Sequence, residues 1–334
     1  MNQTGSRRVT ISEVAAHLGI SKSTVSRAFN HPGRLLPETV SRVHEAAAAL
    51  GYSPSKTAMA LSTGLHSAIA VIAPDIANPF FPRLIRAAQT RANEMGMSIF
   101  LGDTDESATR ERDLVSEFAP DVRGIVLMSS RLADETLEEL AAATNLVLIN
   151  RDTAGVRRVL LDTADGFTEA LNHLYSLGHR RFVYIGGPEL SWSHSQRLRT
   201  VQAFSARDGV SISISQALPA TFEGGARAAA SALADRPTAF LCFDDVVAQG
   251  AIGALSRLGL RVPDDVSVVG CDDTLATSIF PAMATVSLDY ESAGRAAIDL
   301  LLSTTAGDSR VILPGKFVEG STLGPVVTAV ELSS

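Results

Sequence analysis

The sequence predicts a small helical head followed by a larger α/β body. Short amphipathic helical segments that end at glycines fill the first 53 residues, whereas apolar strands alternate with helical stretches from residue 67 onward. Charge divides in the same way: residues 1–66 hold seven Lys/Arg against three Asp/Glu, while the whole chain carries −7. A basic head on an acidic body favours a polyanionic partner for the head alone.

Length and composition exclude several classes of protein. A chain of 334 residues that is 46% hydrophobic and 19% charged is not a disordered chain, a collagen or a coiled coil. It contains no apolar run long enough to span a membrane, and residues 1–8 are not followed by the apolar stretch of a secretory signal. We therefore expect a cytoplasmic protein without membrane contact, in which Cys242 and Cys271 are buried free thiols.

The head carries the local signals of three helices. Thr10 and Glu13 have the spacing of a capping box, and Gly19 ends the helix that they open. Ser21 can cap a second helix after a tight turn, and residues 38–50 form a third. Two short helices joined by a glycine-containing turn and braced by a third match the helix-turn-helix pattern, although an ordinary small helical domain would look similar.

In a helix-turn-helix the second helix enters the major groove of DNA. Lys22, Ser23 and Arg27 are expected at base edges, because Lys and Arg suit guanine and Ser suits several bases. The polar residues expected at phosphates or elsewhere on the DNA face are Thr10, Ser21, Thr24, Ser26 and Asn30.

The motifs Val9–Ala15 and Gly19–Asn30 resemble the DNA-binding head of the lactose/galactose-repressor (LacI/GalR) family. The similarity continues through Leu50–Pro54 into the body. One departure is Leu36, which stands where the family usually has a small polar cap before the third helix, so another group is expected to cap that helix.

Residues 55–62 could form a helix of two turns, which is marginal in water by itself. The resemblance implies a hinge helix that orders when two copies meet on DNA, with Leu61 as a wedge in the minor groove and Ala58 where the hinge helices pack. Ser55 replaces the usual Asn cap, and the alternative is a plain linker.

The body alternates apolar strands with amphipathic helices, which predicts doubly wound parallel sheets, and its length suggests two lobes. The predicted strands are 68–73, 98–102, 124–128, 146–150, 181–186, 238–243 and 266–270. The clearest predicted helices are 80–95, 163–177, 196–207 and 246–258. Ligands of such sheets bind at the carboxyl ends of the strands.

Several body segments also resemble family signatures, among them Asp75–Phe81, Leu177–Arg181 and Val262–Asp273. The resemblance implies two lobes like those of periplasmic sugar-binding proteins, joined by crossing strands. The expected boundaries are a head over 1–53, a hinge over 54–66 and a body over 67–334, with lobe one at about 67–162 plus 291–318 and lobe two at about 163–290 plus 319–334.

The resemblance also places an effector between the lobes. The expected cleft residues are Asp75, Phe80, Phe81, Asn150, Arg151, Trp192, Arg197, Asp244, Asp272 and Tyr290. Carboxylates and a guanidinium can hold a polyhydroxyl ligand, and aromatic faces can cover its apolar surfaces, so a carbohydrate is expected. Phe80 and Phe81 could equally be core residues, and Trp192 a loop anchor.

Three departures from the family pattern concern this cleft. Asp244 stands where many members have Asn, which makes the cleft more acidic and favours a donor-rich or cationic ligand. Thr200-Val201 replaces the usual Gly-Phe, and Glu319-Gly320 stands where an Arg-Glu pair is common.

The sequence contains no P-loop, HExxH or GxSxG motif and no Cys-rich zinc site, so we predict no catalytic residues, metal or cofactor. The predicted function is a DNA-binding regulator, most simply a repressor, that binds a palindromic operator as a homodimer and responds to a small molecule. A tetramer stays open. The alternative is a cytoplasmic solute-binding protein or an enzyme on the same body, with the head as another kind of interaction module.

Overall fold

The computed structural model describes residues 9–30, 32–52, 67–276, 282–304 and 307–326. The chain divides into two compact units at the boundary between Ser67 and Ala68. The predicted hinge, with Ala58 and Leu61, lies outside the described residues, and so does the side chain of Asn30.

The head is a three-helix unit of α1 (Ile11–Leu18), α2 (Lys22–Asn30) and α3 (Pro37–Leu50). One apolar residue from each of these helices is fully buried, namely Val14, Val25 and Val43. The head therefore has a core of its own, built from the apolar positions that the helical spacing predicts.

Local caps fix the helix starts in the head. The Glu13 carboxylate accepts hydrogen bonds from the Thr10 backbone N–H at 2.7 Å and from its hydroxyl at 2.9 Å. The Ser21 hydroxyl accepts from the Thr24 N–H at 3.1 Å. Leu36 precedes α3 without a side-chain cap, and Pro37 in the first turn removes one N–H that would need a partner.

The first sheet of the body has six strands, all paired in parallel, in the order β11-β5-β4-β3-β1-β2. These strands are β1 (Ala68–Ala73), β2 (Ser98–Asp103), β3 (Ile125–Met128), β4 (Leu146–Ile149), β5 (Arg158–Asp162) and β11 (Arg310–Pro314). Four of them, β1 and β3 to β5, are buried almost throughout because helices cover both faces of the sheet.

The second sheet has four parallel strands in the order β7-β6-β8-β9. Its strands are β6 (Arg181–Gly186), β7 (Ser211–Gln216), β8 (Ala239–Cys242) and β9 (Ser267–Val269). Two short strands, β10 (Thr285–Ser287) and β12 (Lys316–Val318), form an antiparallel ribbon beside it.

Eight α-helices and two short 3-10 turns lie among the described residues of the body. The helices are α4 (Phe80–Glu94), α5 (Ala108–Phe118), α6 (Asp134–Ala143), α7 (Ala164–Ser176), α8 (Trp192–Phe204), α9 (Phe222–Ala232), α10 (Asp245–Arg257) and α11 (Tyr290–Leu302), and the 3-10 turns are Ala119–Asp121 and Leu233–Asp235. In this part of the chain, none is long and apolar enough to cross a membrane.

The chain passes between the two sheets after β5, after β10 and after β11. At one of these passages the Gly315 N–H donates to the Asp162 carbonyl at 2.6 Å. The structure confirms the predicted fold class, a helical head followed by two doubly wound α/β layers. The limits of the lobes in sequence stay a prediction.

The predicted helix 196–207 differs most from the structure, because α8 begins at Trp192 and ends at Phe204. The Ser191 hydroxyl accepts from the His194 N–H at 3.3 Å and caps the helix, which therefore begins four residues before the predicted start. The thiols of Cys242 and Cys271 are free and buried, as predicted.

Candidate functional site

A cavity of about 480 Å³ lies where the carboxyl ends of strands from both sheets meet. The segments after β1, β2 and β3 form one wall, and those after β6, β7, β8 and β9 form the other. Six of the ten predicted effector residues line it: Asp75, Phe80, Phe81, Arg197, Asp244 and Asp272. Six of the residues that the family resemblance implied therefore lie together at this cavity.

The other four predicted residues are not among those that line the cavity, and the side chains of Asn150, Arg151 and Tyr290 bond within the protein instead. The Asn150 side chain accepts from the Leu161 N–H at 2.8 Å. Arg151 donates to the Leu132 carbonyl at 2.8 Å and to Asp134 at 2.9 Å.

Tyr290 also lies behind the cavity wall. The Tyr290 hydroxyl donates to the Asp272 carbonyl at 2.6 Å, and its ring packs on Phe80 with 5.5 Å between ring centroids. Trp192 is the first residue of α8, while its neighbours Ser191 and Ser193 line the cavity. Tyr290 thus positions the strand end that carries Asp272.

Arg197 and Asp272 form a buried ion pair within the second wall. Their side chains are 3% and 6% exposed, and the Nη2–Oδ1 distance is 3.0 Å. Arg197 also donates to the Phe243 carbonyl and to the Thr163 hydroxyl. From the sequence, this guanidinium was expected to bind ligand oxygens or to form a surface or interlobe salt bridge. In the structure it pairs with the buried carboxylate of Asp272. The sequence did not indicate this pair because the two residues come together only in the folded sheet.

Burial raises the pKa of Asp272, while the charge of Arg197 opposes that rise. Behind the cavity, burial also raises the pKa of Asp245 to about 6. The Asp245 carboxylate accepts hydrogen bonds from the N–H groups of Thr274 and Leu275 and from the Thr285 hydroxyl. It therefore fixes the loop after β9 that carries Asp272.

Asp244 connects the two walls. Its Oδ1 accepts from the Val247 N–H at 2.8 Å and caps α10, and its Oδ2 accepts from the Asn78 side-chain amide at 3.0 Å. Asn78 lies between β1 and α4, so this hydrogen bond crosses the cavity. Burial raises the pKa of Asp244, and both hydrogen bonds oppose the rise.

Sequence reasoning missed a second arginine in the cavity. Arg131 donates from Nε to Glu106 Oε2 at 2.5 Å and from Nη2 to Oε1 at 2.9 Å. Its backbone N–H donates to Glu111 at 2.9 Å. Glu106 follows β2 and Arg131 follows β3, so the rule that ligands bind at the carboxyl ends of parallel strands could have found them.

Several strand ends around the cavity hold the backbone in an unfavourable region. The φ angles of Glu106, Ser129, Asn150 and Asp272 are +59°, +46°, +53° and +98°. Non-glycine residues adopt positive φ rarely, and such strain concentrates at functional sites.

The helix α2 presents the candidate nucleic-acid interface of the head. Lys22, Ser23 and Arg27 are exposed, as the helix-turn-helix pattern predicts for residues that read bases. The Ser21 hydroxyl shares hydrogen bonds with those of Ser23 and Thr24 at 2.7 and 2.8 Å, and Thr10 is held by Glu13. The two hydrogen bonds of the Ser21 cluster use two of its three hydroxyl protons, so one proton remains for a phosphate oxygen, whereas the Thr10 hydroxyl proton is donated to Glu13.

Known proteins resemble both parts of the chain. Residues 10–55 match the family described as bacterial regulatory proteins, lacI family, and residues 171–323 match the periplasmic binding protein-like domain. The HTH-type transcriptional repressor CytR of Escherichia coli K12 is 31% identical over 94% of this chain and 96% of its own length. The HTH-type transcriptional regulator DegA of Bacillus subtilis is 31% identical over 96% of this chain and 100% of its own length.

Solved structures of transcription regulators also resemble this chain. The lac repressor dimer bound to operator and the anti-inducer ONPF is 25% identical, covers 95% of this chain and 99% of its own, and superposes with a TM-score of 0.85. A complex of the transcriptional regulator CelR with cellobiose is also 25% identical, covers 94% of this chain and 100% of its own, and has a TM-score of 0.69. The helix-turn-helix head, the two α/β layers and these relatives together show that the chain belongs to the LacI family of bacterial transcription regulators.

Proposed function

We infer that this chain, a DNA-binding transcription regulator, is a repressor that holds a palindromic operator as a dimer and is switched by a small molecule in the cavity. The single observation that carries the inference is the combination of an exposed recognition helix with a cavity whose two walls belong to different sheets. A ligand that contacts both walls can favour one arrangement of them over another.

The base-reading role falls to Lys22, Ser23 and Arg27, and the phosphate-binding role to the polar residues around them. A single head makes few base contacts, so two heads related by two-fold symmetry give the required specificity. The predicted hinge, with Leu61 in the minor groove and Ala58 between hinge helices, belongs to this proposal, and so does the division at 1–53, 54–66 and 67–334.

The effector is proposed to be a carbohydrate or a derivative of one. Carboxylates after strands of both sheets supply hydrogen-bond acceptors, and Phe80, Phe81 and Phe243 supply apolar faces. Asp75, Asp244 and Asp272 are the proposed polar contacts, while Asn150, Arg151 and Tyr290 support the wall.

Since binding and switching account for both sites, we propose no catalytic residue, and we place the protein with its operator DNA in the cytoplasm, at the nucleoid. An enzyme on the same body is the other candidate. Turnover of a bound ligand by the purified protein would favour that candidate.

Operator binding tests the head. We expect Arg27→Ala to cost about 1–3 kcal/mol at one base pair per half-site, measured by titrating the full chain against an operator and its single-base variants. Arg199→Ala removes an exposed arginine from α8 and serves as the control. A loss that is equal for every sequence would reassign Arg27 to phosphate contact.

Filling the cavity tests the switch. Ala220 lies in the cavity lining, and we expect Ala220→Trp to retain operator binding while it abolishes the response to effectors. Ala206→Trp places the same side chain at an exposed position outside the cavity and should respond normally. Effectors are first found by thermal shift with sugars, sugar phosphates and nucleosides, and a filled cavity that still responds would contradict the assignment.

A further inference from the structure

The charges that line the cavity are unbalanced. Five acidic side chains and two arginines line it, and the acidic residues are Asp75, Glu106, Glu189, Asp244 and Asp272. Each arginine is already committed to one of these carboxylates: Arg131 holds Glu106 and Arg197 holds Asp272. The cavity therefore offers a ligand no uncommitted guanidinium and an excess of negative charge.

Three carboxylates account for this excess. Within the described ranges, no salt bridge joins Asp75, Glu189 or Asp244 to a Lys or Arg. Asp75 Oδ1 accepts a local hydrogen bond from the Ala77 N–H at 2.8 Å. Asp75 is half-buried and Glu189 is exposed, so water stabilises their charges in part.

Asp244 is different because it is only 2% exposed. The Val247 N–H and the Asn78 amide, which donate to its carboxylate, are neutral, and the charge of Arg197, which is itself paired with Asp272, acts on the pKa of Asp244 without an ion pair between the two. Neutral donors fill the lone pairs of a buried carboxylate, but they do not compensate its charge as a cation does. Asn78 reaches Asp244 from the opposite wall, so a ligand between the walls can take its place.

The apolar part of the lining favours the same kind of ligand. Phe80, Phe81 and Phe243 line the cavity, and the face of an aromatic ring attracts an organic cation. Arg197 already lies 4.9 Å from the centroid of Phe243. A phosphorylated ligand would instead bring a further negative charge to carboxylates that have no free cation beside them.

We propose that the effector is an amine-bearing polyol, such as an amino sugar, whose protonated nitrogen binds Asp244 in place of the Asn78 amide. This rests on the proposed function, since the cavity must be the effector site. The charged nitrogen, rather than the hydroxyl pattern, then distinguishes the effector from neutral and phosphorylated sugars.

Matched probes test the charge of the ligand. Isothermal titration of the full chain would compare glucosamine, galactosamine and mannosamine with glucose, galactose and mannose and with their 6-phosphates, at one ionic strength. We expect at least one hexosamine to bind at least about tenfold more tightly than its parent sugar, because a charge-assisted hydrogen bond is roughly twice as strong as a neutral one. The phosphates should bind most weakly.

Asp244→Asn tests the position. Asn keeps an oxygen that can cap α10, so the variant should fold, and melting curves check this. We expect hexosamine binding to weaken about tenfold more than binding of the parent neutral sugar, so that the preference for the amine is lost. Asp208→Asn removes one exposed acidic residue from the same half of the body and should leave every affinity unchanged.

The outcomes separate this inference from the proposed function. The amine proposal is contradicted if a neutral or phosphorylated sugar binds more tightly than every hexosamine, or if no hexosamine binds. It is also contradicted if a folded Asp244→Asn variant binds the hexosamine as tightly as the wild type does. If a neutral sugar releases the operator, the proposed function stands without the amine. If a hexosamine binds through Asp244 but leaves the operator complex intact, the charge selectivity stands and the proposed switch is wrong.

Discussion

The two arginines of the cavity make the same kind of contact in different surroundings. Arg197 and its partner Asp272 are 3% and 6% exposed, whereas Arg131 is 6% exposed and its partner Glu106 is 42% exposed. The first pair is sealed inside one wall, and the second keeps one member in contact with water. The energetic consequences of breaking them must therefore differ.

In the sealed pair each charge depends on the other, since removing one leaves an uncompensated charge in a dry environment. In the half-exposed pair water can replace the lost partner of Glu106. The difference indicates that the second wall is the rigid part of the cavity and the first wall is the part that tolerates change.

The largest expected effect follows removal of the sealed cation. Arg197→Met should lower the free energy of unfolding of the body by about 3–5 kcal/mol, because it leaves Asp272 buried without a counter-charge. Trp192, the single tryptophan of the chain, starts the same helix, so its fluorescence can follow denaturant unfolding. Arg199→Met, at an exposed position two residues later, should change little, and a loss below about 1 kcal/mol for Arg197→Met would contradict the comparison.

A smaller loss is expected from the matching change in the first wall. Arg131→Met should cost about 1.5–3 kcal/mol, because it removes charged hydrogen bonds but lets Glu106 rehydrate. The backbone N–H that donates to Glu111 stays in place. Far-UV circular dichroism of the full chain measures the loss, and a value equal to that of Arg197→Met would remove the distinction between the two walls.

Salt concentration should affect the stability contributions of the Arg131–Glu106 and Arg197–Asp272 pairs differently. Glu106→Gln should cost about 1–2 kcal/mol, because the Gln oxygen can still accept from the buried Arg131 guanidinium, and the cost should shrink as salt screens the half-exposed charge of Glu106. Asp272→Asn should cost more and depend little on salt. Parallel unfolding curves at low and high salt measure both, and a cost of Glu106→Gln that does not change with salt would show that this pair is sealed as well.

The smallest expected effect is a pH dependence in the rigid wall. Burial and the charge of Arg197 lower the pKa of His194, whose Nδ1 accepts from the Gly187 N–H at 3.3 Å. Below about pH 6.5 the imidazole of His194 takes up a proton in the unfolded chain but not in the folded chain. The free energy of unfolding therefore falls as the pH falls. Because the raised pKa of Asp245 acts in the opposite direction, the effect is measured as the difference between wild type and His194→Gln.

That difference should be largest at neutral pH and should narrow as the medium becomes acidic. A wild type and a variant whose unfolding free energies run parallel from neutral to acidic pH would show that His194 accepts its proton as readily when folded as when unfolded.

The sequence by itself determined the elements whose causes are local. The cap of α1 joins Thr10 to Glu13 and the cap of α2 joins Ser21 to Thr24, each across three residues. Such signals need no knowledge of the rest of the chain. The edge of the sheet at which a ligand binds was also predictable, because the carboxyl ends of parallel strands meet along one edge, whereas individual cavity residues such as Asp75 followed from the family resemblance.

The less regular elements of the body were not identified. The edge strand β7 alternates Ser and Ile and is nowhere fully buried, so it lacks the continuous apolar run that marked the predicted strands. The strands β5, β10, β11 and β12 were not predicted either, although β5 is buried over four of its five residues. The start of α8 was missed because its cap, Ser191, precedes the amphipathic part of the helix.

Only the tertiary structure decided which partner each cavity residue has. Arg197 and Asp272 are 75 residues apart, Asn78 and Asp244 are 166 apart, and nothing in their spacing selects one carboxylate over another. Sheet order places β6, β8 and β9 side by side, and burial then makes pairing of the nearest opposite charges the state of lowest free energy. Residue types are properties of the sequence, whereas the distances and the exclusion of water that give those types their roles arise when distant strands meet.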